Sequence, residues 1–428
     1  MSPLTRRQLL LGTAGTVAGA AATRVPAMAG TTRRRLPHPN HSGIEHIVVL
    51  CMENRSFDHF LGWLPGADGK QAGLSYPDSK GKLHKTHRLT ERQGCGFADP
   101  DHSYTGGRLQ LDGGKMDGFR RGLNDDFALG YYTRDDLPFY RHFVEAATVH
   151  DRWFCSILSS TYPNRFYTHA GRTDRTDNSM TESTLPTIWD RLSHAGVPAN
   201  YYFSDLPFLA LWGQKYVPIA RPFESFYAQA ASGTLPAYSY LDPFFLGEGQ
   251  GGSNDDHPHA DIHRGQALVS EVVHAITTSP LWSKTVLIVT YDEWGGFFDH
   301  VRPPVLPDDR PSKGFDHRQA GFRVPAFVLS PFSRPGHVEH HTHDHTSILK
   351  LVEWRYGLKP LAPRDAAARN IALSMDFSRT RKAPSLPVIA DPGAHICGAP
   401  GVGMAAEDPF WVALRDKVKS DPAWRHVV

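Results

Sequence analysis

Two places in this 428-residue sequence set acids at the ends of apolar runs. Thr285 to Thr290 is rich in β-branched residues and runs into Asp292 and Glu293, after which Gly295-Gly296 turn the chain. Ile44 to Met52 is a second apolar run, and it ends in Glu53-Asn54-Arg55. Runs of this kind read as strands buried on both faces of a parallel sheet. Open α/β sheets hold their ligands just outside the carboxyl ends of such strands. Carboxylates there are costly unless something positive binds them, and a hard divalent cation takes oxygen ligands of this type. On the residues alone, the plainer alternatives are that Asp292-Glu293 is an N-cap pair for a following helix and Glu53 a strand-end acid facing solvent.

A nucleophile would have to come from elsewhere. Between Asp151 and Gly171 an apolar start leads into Ser159-Ser160-Thr161-Tyr162-Pro163-Asn164-Arg165. Proline suits the first turn of a helix, so Thr161 falls at or just before a helix N-terminus. The free N–H groups and the dipole there favour a phosphate or an activated alkoxide. The plainer alternative is that Ser160 or Thr161 is an N-cap. Acid–base groups are plentiful, since the chain has 24 histidines. A Gly-rich loop from Gly247 carries Asp255, Asp256, His257, His259, Asp261 and His263. A flexible loop of that composition at the mouth of a sheet suits substrate contacts and proton transfer. His102, in Asp99-Pro100-Asp101-His102, reads on spacing alone as a surface loop residue. His337, His340, His341, His343 and His345 read largely as surface and local helix capping.

The elements that must position these groups alternate. Residues 61–130 look like a loop-rich insertion. Helical periodicity covers 136–150, Thr187 to His194 and Arg264 to Thr277. Asn200 to Phe203 and Tyr238 to Leu241 are extended, and residues 323–331 read as another parallel-type strand. A helix follows Asp344-His345-Thr346-Ser347, and a short one spans Pro409 to Val418. The fold class is therefore α/β, a central mostly parallel sheet flanked by helices with loop-rich insertions. A net charge of +2 provides no basic patch of the nucleic-acid-binding type. Without a G-x-S-x-G elbow, a serine esterase is disfavoured. Of the four cysteines, Cys51 reads as a buried core residue, and Cys95 can pair with Cys155 or Cys397.

Residues 1–29 read as a targeting segment. Arg6-Arg7 precede a moderately apolar, glycine-rich run from Leu9 to Ala22, and Ala27-Met28-Ala29 fits a cleavage site. A twin-arginine signal of this kind exports a protein already folded. The expected destination is secreted, periplasmic or attached to the cell envelope, with the twin-arginine export machinery as a partner. Residues 30–43 read as a disordered basic linker, 44–360 as the catalytic domain and 361–428 as an extension packed on it.

Taken together, Met52-Glu53-Asn54-Arg55-Ser56-Phe57-Asp58, Thr161-x-Pro-Asn-Arg, Asn254-Asp255-Asp256-His257-Pro258, Thr290-Tyr291-Asp292-Glu293, Phe298-Asp299-His300-Val301 and Asp344-His345-Thr346-Ser347-Ile348 follow one order. In that order they resemble the bacterial phosphoesterase family of phosphatidylcholine-type phospholipases C and related secreted acid phosphatases. The resemblance spans roughly residues 44–360. It implies an alkaline-phosphatase-like fold and one or more divalent metal ions held by Glu53, Asn54, Thr161, Asp292 and Glu293. It makes Thr161 the nucleophile and places His102 and His257 in a phosphate pocket. The family often has two aspartates where this chain has Asp292-Glu293. His257 is then the candidate donor to the leaving alcohol. Asn164, Arg165, Asp256 and His300 are supporting residues. The expected reaction is phospholipase C-type cleavage of a phospholipid, or another phosphodiester, through a phospho-threonine. Alternatives are an acid phosphatase and a non-catalytic secreted metal- or lipid-binding protein.

Overall fold

An eight-stranded sheet forms the middle of the computed structural model, which describes residues 35–309, 315–397 and 409–427. In chain order its strands are β1 (His46–Met52), β2 (Thr148–His150), β3 (Ala199–Phe203), β4 (Ala220–Pro222), β5 (Tyr238–Asp242), β6 (Thr285–Tyr291), β7 (Ala326–Leu329) and β8 (His337–Glu339). Across the sheet they run β8-β2-β7-β6-β1-β5-β3-β4. β1 lies at the centre, parallel to β6 on one side and β5 on the other, with Met52 opposite Tyr291. β6 is buried along its whole length and β1 from Ile47 on, because side chains on both faces pack into the core.

β7 departs from the parallel expectation. It is antiparallel to both β6 and β2. Its continuous apolar pattern states burial on both faces but carries no direction, so periodicity could not separate the two cases. The helical reading of 136–150 is also corrected: the helix stops at Ala146, and Thr148–His150 is a sheet strand. Val149 pairs with Phe327 and Val338 on either side, a tertiary gain that outweighs helical propensity.

The helices are α1 (Phe57–Leu61), α2 (Tyr104–Leu111), α3 (Tyr140–Ala146), α4 (Thr161–Ala170), α5 (Ile188–His194), α6 (Glu224–Ser232), α7 (Ile262–Thr278), α8 (Thr346–Tyr356), α9 (Pro363–Ala367) and α10 (Pro409–Ser420). α7 is stopped at its start by Asp261, whose carboxylate accepts from the His263 N–H. Leu36 to Val428 form one unit. α10 puts the Trp411 ring flat on Phe245, centroids 4.2 Å apart. Cys95 is bonded to Cys397, and Cys51 and Cys155 are free and buried. The segment read as a linker is only partly so: Pro39–His41 form a 3-10 turn and Leu36 packs on the core. The targeting segment, 1–29, lies outside the described residues. Among the described residues no helix is long and apolar enough to cross a membrane.

Candidate active site

Glu53 and Asp292 are brought together by the β1–β6 register. The two strands end side by side, and the Asp292 N–H donates to the Met52 carbonyl at 3.0 Å. Asn54 then leaves β1 with φ of 61°, a left-handed conformation that asparagine tolerates. That turn aims the Asn54 N–H at Asp292 Oδ1, 3.4 Å away. Gly295 has to be glycine here: a Cβ on it would sit 2.1 Å from the Asn54 carbonyl oxygen. Asp292-Glu293 is therefore no helix cap, because the glycine turn and not a helix follows it.

Thr161 is the first residue of α4, with Ser160 as the N-cap in extended conformation. The Ser160 side chain makes no capping bond. Thr161 Oγ1 faces Asn54 Oδ1 at 3.5 Å. The loop before α4 is held by Asn164, whose Oδ1 accepts from the Ile157 N–H (3.0 Å) and whose Nδ2 donates to the carbonyls of Ser159 (2.7 Å) and Ser160 (3.1 Å). Arg165, one position on, points into the sheet end and reaches Glu53 (3.1 Å), Asp242 (2.6 Å) and Asp292 (3.1 Å).

The charges do not balance. Glu53, Asp242, Asp292 and Glu293 are all fully buried; the first three share Arg165 as their cation, and Glu293 faces His102. Neither oxygen of Glu53 accepts a hydrogen bond, although Arg165 lies close, and Glu293 Oε1 accepts none either. Burial first, and then the neighbouring Asp292, drive the Glu53 carboxyl well above its ordinary range. Burial likewise lifts Asp292 to about 6 and Glu293 to about 8. Buried acids with bare oxygens fit a divalent cation, which supplies the missing positive charge through oxygen ligands. Glu53, Asn54, Thr161, Asp292 and Glu293 are the residues that would hold it.

The two histidines named from the sequence meet at this place. The His102 and His257 rings are edge to face, 5.6 Å apart. His102 Nδ1 donates to the Pro100 carbonyl at 2.8 Å and its Nε2 stands 3.7 Å from Glu293 Oε1. Burial disfavours its cation, but Glu293 and then Asp99 outweigh that and raise it to about 9. His102 is thus no free surface residue, which spacing within a loop could not reveal. His257 is driven the other way, well below its ordinary value, by burial and then by His102. Ligand-capable atoms of Asp99, His102 and His257 lie within 4.8 Å of one another, as do those of Glu53, Glu248 and His257.

The loop carrying His257 is not flexible in the way its composition implied. Residues 255–261 are buried. Asp255 Oδ1 accepts from the Ser253 hydroxyl (2.6 Å) and the His257 N–H (2.8 Å), while its carbonyl accepts from the Glu53 N–H (2.8 Å). Asp256 takes the Tyr291 hydroxyl on its carboxylate and Arg55 Nε on its carbonyl (2.6 Å). Its place is behind the site, holding the loop to β6. His300 lies in a different cluster. Its ring bonds Asp58 (2.5 Å) and Asp68 (3.1 Å), with Arg323 holding Asp58 and Asp299. It clamps the segment after the glycine turn, away from the candidate ligands.

Two neighbours were not read from the sequence. Asp242 ends β5 as Asp292 ends its strand, and that strand-end signal was there to be used. His345 Nε2 donates to the Asp292 carbonyl at 2.5 Å and its Nδ1 accepts from Trp153 Nε1 at 3.2 Å. Nothing in its local sequence separates it from the capping histidines around it.

This arrangement unites a hydroxyl at a helix start, buried carboxylates with bare oxygens and two histidines that face each other. Residues 44–359 match the model of the Phosphoesterase family, and the chain belongs to that family. It is a phosphoric ester hydrolase. The chain is similar to non-specific phospholipase C1 of Arabidopsis thaliana, 32% identical over 387 residues that cover 78% of this chain and 71% of that one. It is also similar to phospholipase C B of Mycobacterium tuberculosis, 30% identical over 473 residues, covering 91% and 88%. Among solved structures, the lipoteichoic acid synthase LtaP of Listeria monocytogenes aligns over 78% of this chain and 76% of its own, with 9% identity and a TM-score of 0.42. A protein in the alkaline phosphatase superfamily from Vibrio parahaemolyticus aligns over 76% and 70%, with 10% identity and a TM-score of 0.37.

Proposed function

We propose that the chain is an exported, metal-dependent phospholipase C acting on the phosphodiester of a phospholipid at a membrane surface. The observation that carries the chemistry is the Thr161 hydroxyl at the start of α4, 3.5 Å from Asn54, whose chain neighbour Glu53 has buried carboxylate oxygens that accept no bond. The phospholipase names of the relatives support the diester and the lipid. A divalent cation held there would lower the pKa of the Thr161 hydroxyl and polarise a phosphoryl oxygen. Thr161 attacks phosphorus and forms a phospho-threonine, with the α4 N–H groups turned toward the phosphate. His257, whose Nδ1–H is held by the Pro258 carbonyl, takes up on Nε2 the proton that the Thr161 hydroxyl loses and passes it to the oxygen of the departing alcohol as the P–O bond breaks. His102 donates to a phosphate oxygen through its own Nε2. Water then hydrolyses the phospho-threonine. Asn164 holds the nucleophile loop, and Arg165 fixes Glu53 and Asp292.

Metal analysis of the purified protein comes first, followed by turnover of phosphatidylcholine and p-nitrophenyl phosphate with and without chelator. Bound divalent metal, chelator-sensitive turnover and preference for the diester are expected. Preference for the monoester would make it an acid phosphatase, and metal without turnover a binding protein. Thr161→Ala and Asp292→Asn should each lower kcat by at least ~10³-fold in folded protein. Wild-type turnover in either sinks the assignment.

A further inference from the structure

A leaving-group histidine works only if its donor nitrogen faces the leaving oxygen. His257 Nδ1 is committed to the Pro258 carbonyl, so Nε2 is the nitrogen available for transfer. Two carboxylates flank Nε2 at 3.9 Å, Asp99 and Glu248. Their settings differ. The Asp99 side chain is 21% exposed and that of Glu248 is 1% exposed. Glu248 also has a second anchor: its Oε2 accepts from the Trp411 indole N–H at 3.1 Å. The same residue's carbonyl accepts from the His259 N–H at 3.0 Å, two positions beyond His257. Glu248 thus touches the histidine loop through main chain and faces its ring through side chain. Trp411 belongs to α10, at the far end of the sequence, and is itself held by stacking on Phe245. Phe245 in turn lies under the Arg165 guanidinium, 4.8 Å away.

We propose that Glu248 is a positioning residue whose carboxylate, 3.9 Å from His257 Nε2, steadies the ring and favours the proton that Nε2 passes to the leaving-group oxygen, and that Trp411 from the C-terminal helix fixes Glu248 in that place. The glutamate never touches the phosphate; it acts through His257. A carboxylate this deeply buried is expensive to keep, and an apolar residue would fill the same space beside the Trp411 ring. Its alignment on one histidine nitrogen supplies the reason for an acid there. The C-terminal extension then becomes part of the working site. This inference rests on the reading of His257 as the leaving-group donor.

The test compares Glu248→Gln, Trp411→Phe and His257→Gln in the full chain on two diesters. One is a short-chain phosphatidylcholine, whose alkoxide leaving group needs a proton. The other is p-nitrophenyl phosphorylcholine, whose nitrophenolate leaves without one. For Glu248→Gln, kcat on the phosphatidylcholine should fall by roughly ten- to a hundredfold with KM little changed, and kcat on the nitrophenyl ester by less than about threefold. Trp411→Phe keeps the ring stack but not the N–H, and should show the same pattern in weaker form. It also stands in if Glu248→Gln fails to fold. Equal losses on both esters in Glu248→Gln, or in Trp411→Phe where it alone folds, would overturn the positioning role. If His257→Gln itself shows equal losses, the donor reading of His257 falls first. If His257→Gln discriminates between the esters and the Glu248 variant does not, only the proposal for Glu248 falls.

Discussion

Glu353 shows how single buried acids set the pH response of this protein outside the active site. It lies on α8, 3% exposed, and neither of its carboxylate oxygens accepts a hydrogen bond. Burial, and then the Asp365 carboxylate of α9, push it from an ordinary 4.5 up to about 9, against smaller opposing effects of Lys350 on its own helix and Arg191 on α5. Below pH 4.5 both folded and unfolded chains carry the proton, so the residue adds nothing to the pH response. Between 4.5 and about 9 the folded chain keeps a proton the unfolded chain has released, so stability falls as pH rises. Glu353→Gln should therefore raise the thermal midpoint by a few degrees at pH 8 and leave it unchanged at pH 4. Melting curves of both proteins across that range check it; an equal shift at the two pH values would contradict it. The acids of the candidate site obey the same physics with a different outcome. Glu53 and Glu293 keep bare oxygens because a cation is expected to use them, whereas no ligand is implied at Glu353.

At the scale of elements, the loop before α4 matters most, because it sets where Thr161 stands. Asn164 makes three bonds that tie residues 157, 159 and 160 to the first turn. Removing them leaves buried backbone groups without partners, at a cost of about 1–3 kcal/mol each when unrelieved. Asn164→Ala should lower stability by roughly 3 kcal/mol in denaturant titration and lower kcat with the same substrate. A variant with wild-type kcat would show that the loop holds Thr161 without this side chain. Much of this level was legible. Pro163 predicted Thr161 at or just before a helix start, and α4 starts at Thr161. The runs 44–52 and 285–290 predicted buried strands, and β1 and β6 are such strands. Where the reading missed, direction and pairing were at stake. β7 is antiparallel, and 148–150 left the helix for the sheet. Both outcomes depend on neighbours far away in sequence.

At the scale of the whole molecule, the segment before α10 is tied back to distant parts of the chain. The Cys95–Cys397 bond joins residues 302 apart, linking the insertion that carries His102 to the segment before α10. Gln93 Nε2 donates to the His395 carbonyl (2.6 Å), and the Cys397 N–H to the Gln250 carbonyl (2.9 Å), so the same segment also braces the Glu248 loop. Cys397→Ser should lower unfolding stability by roughly 2–5 kcal/mol, the range for losing a native disulfide. Denaturant midpoints with and without reductant measure this, and a variant matching oxidised wild type would refute it. The proposed export is tested on the whole chain as well. Arg6→Lys with Arg7→Lys should leave the protein inside cells that have a twin-arginine route, as fractionation and immunoblotting would show. Continued export of the double variant would point to a different pathway.

The sequence by itself determined the class of chemistry. Acids at strand ends, a threonine at a helix start and a histidine-rich loop are local facts, and local propensity and hydrophobic period express them directly. Their order along the chain was enough to point to a phosphoesterase. Tertiary structure alone decided which of these groups meet. The β1–β6 register set Glu53 beside Asp292, and the left-handed turn at Asn54 faced Thr161. Packing brought His102 out of a loop onto Glu293 and sent His300 to Asp58 instead. It also selected Cys397 for Cys95 and carried Trp411 to Glu248. Each of these depends on distances between residues up to hundreds of positions apart. Side-chain type and short-range spacing hold no record of them, because they are set by how the buried surfaces fit together.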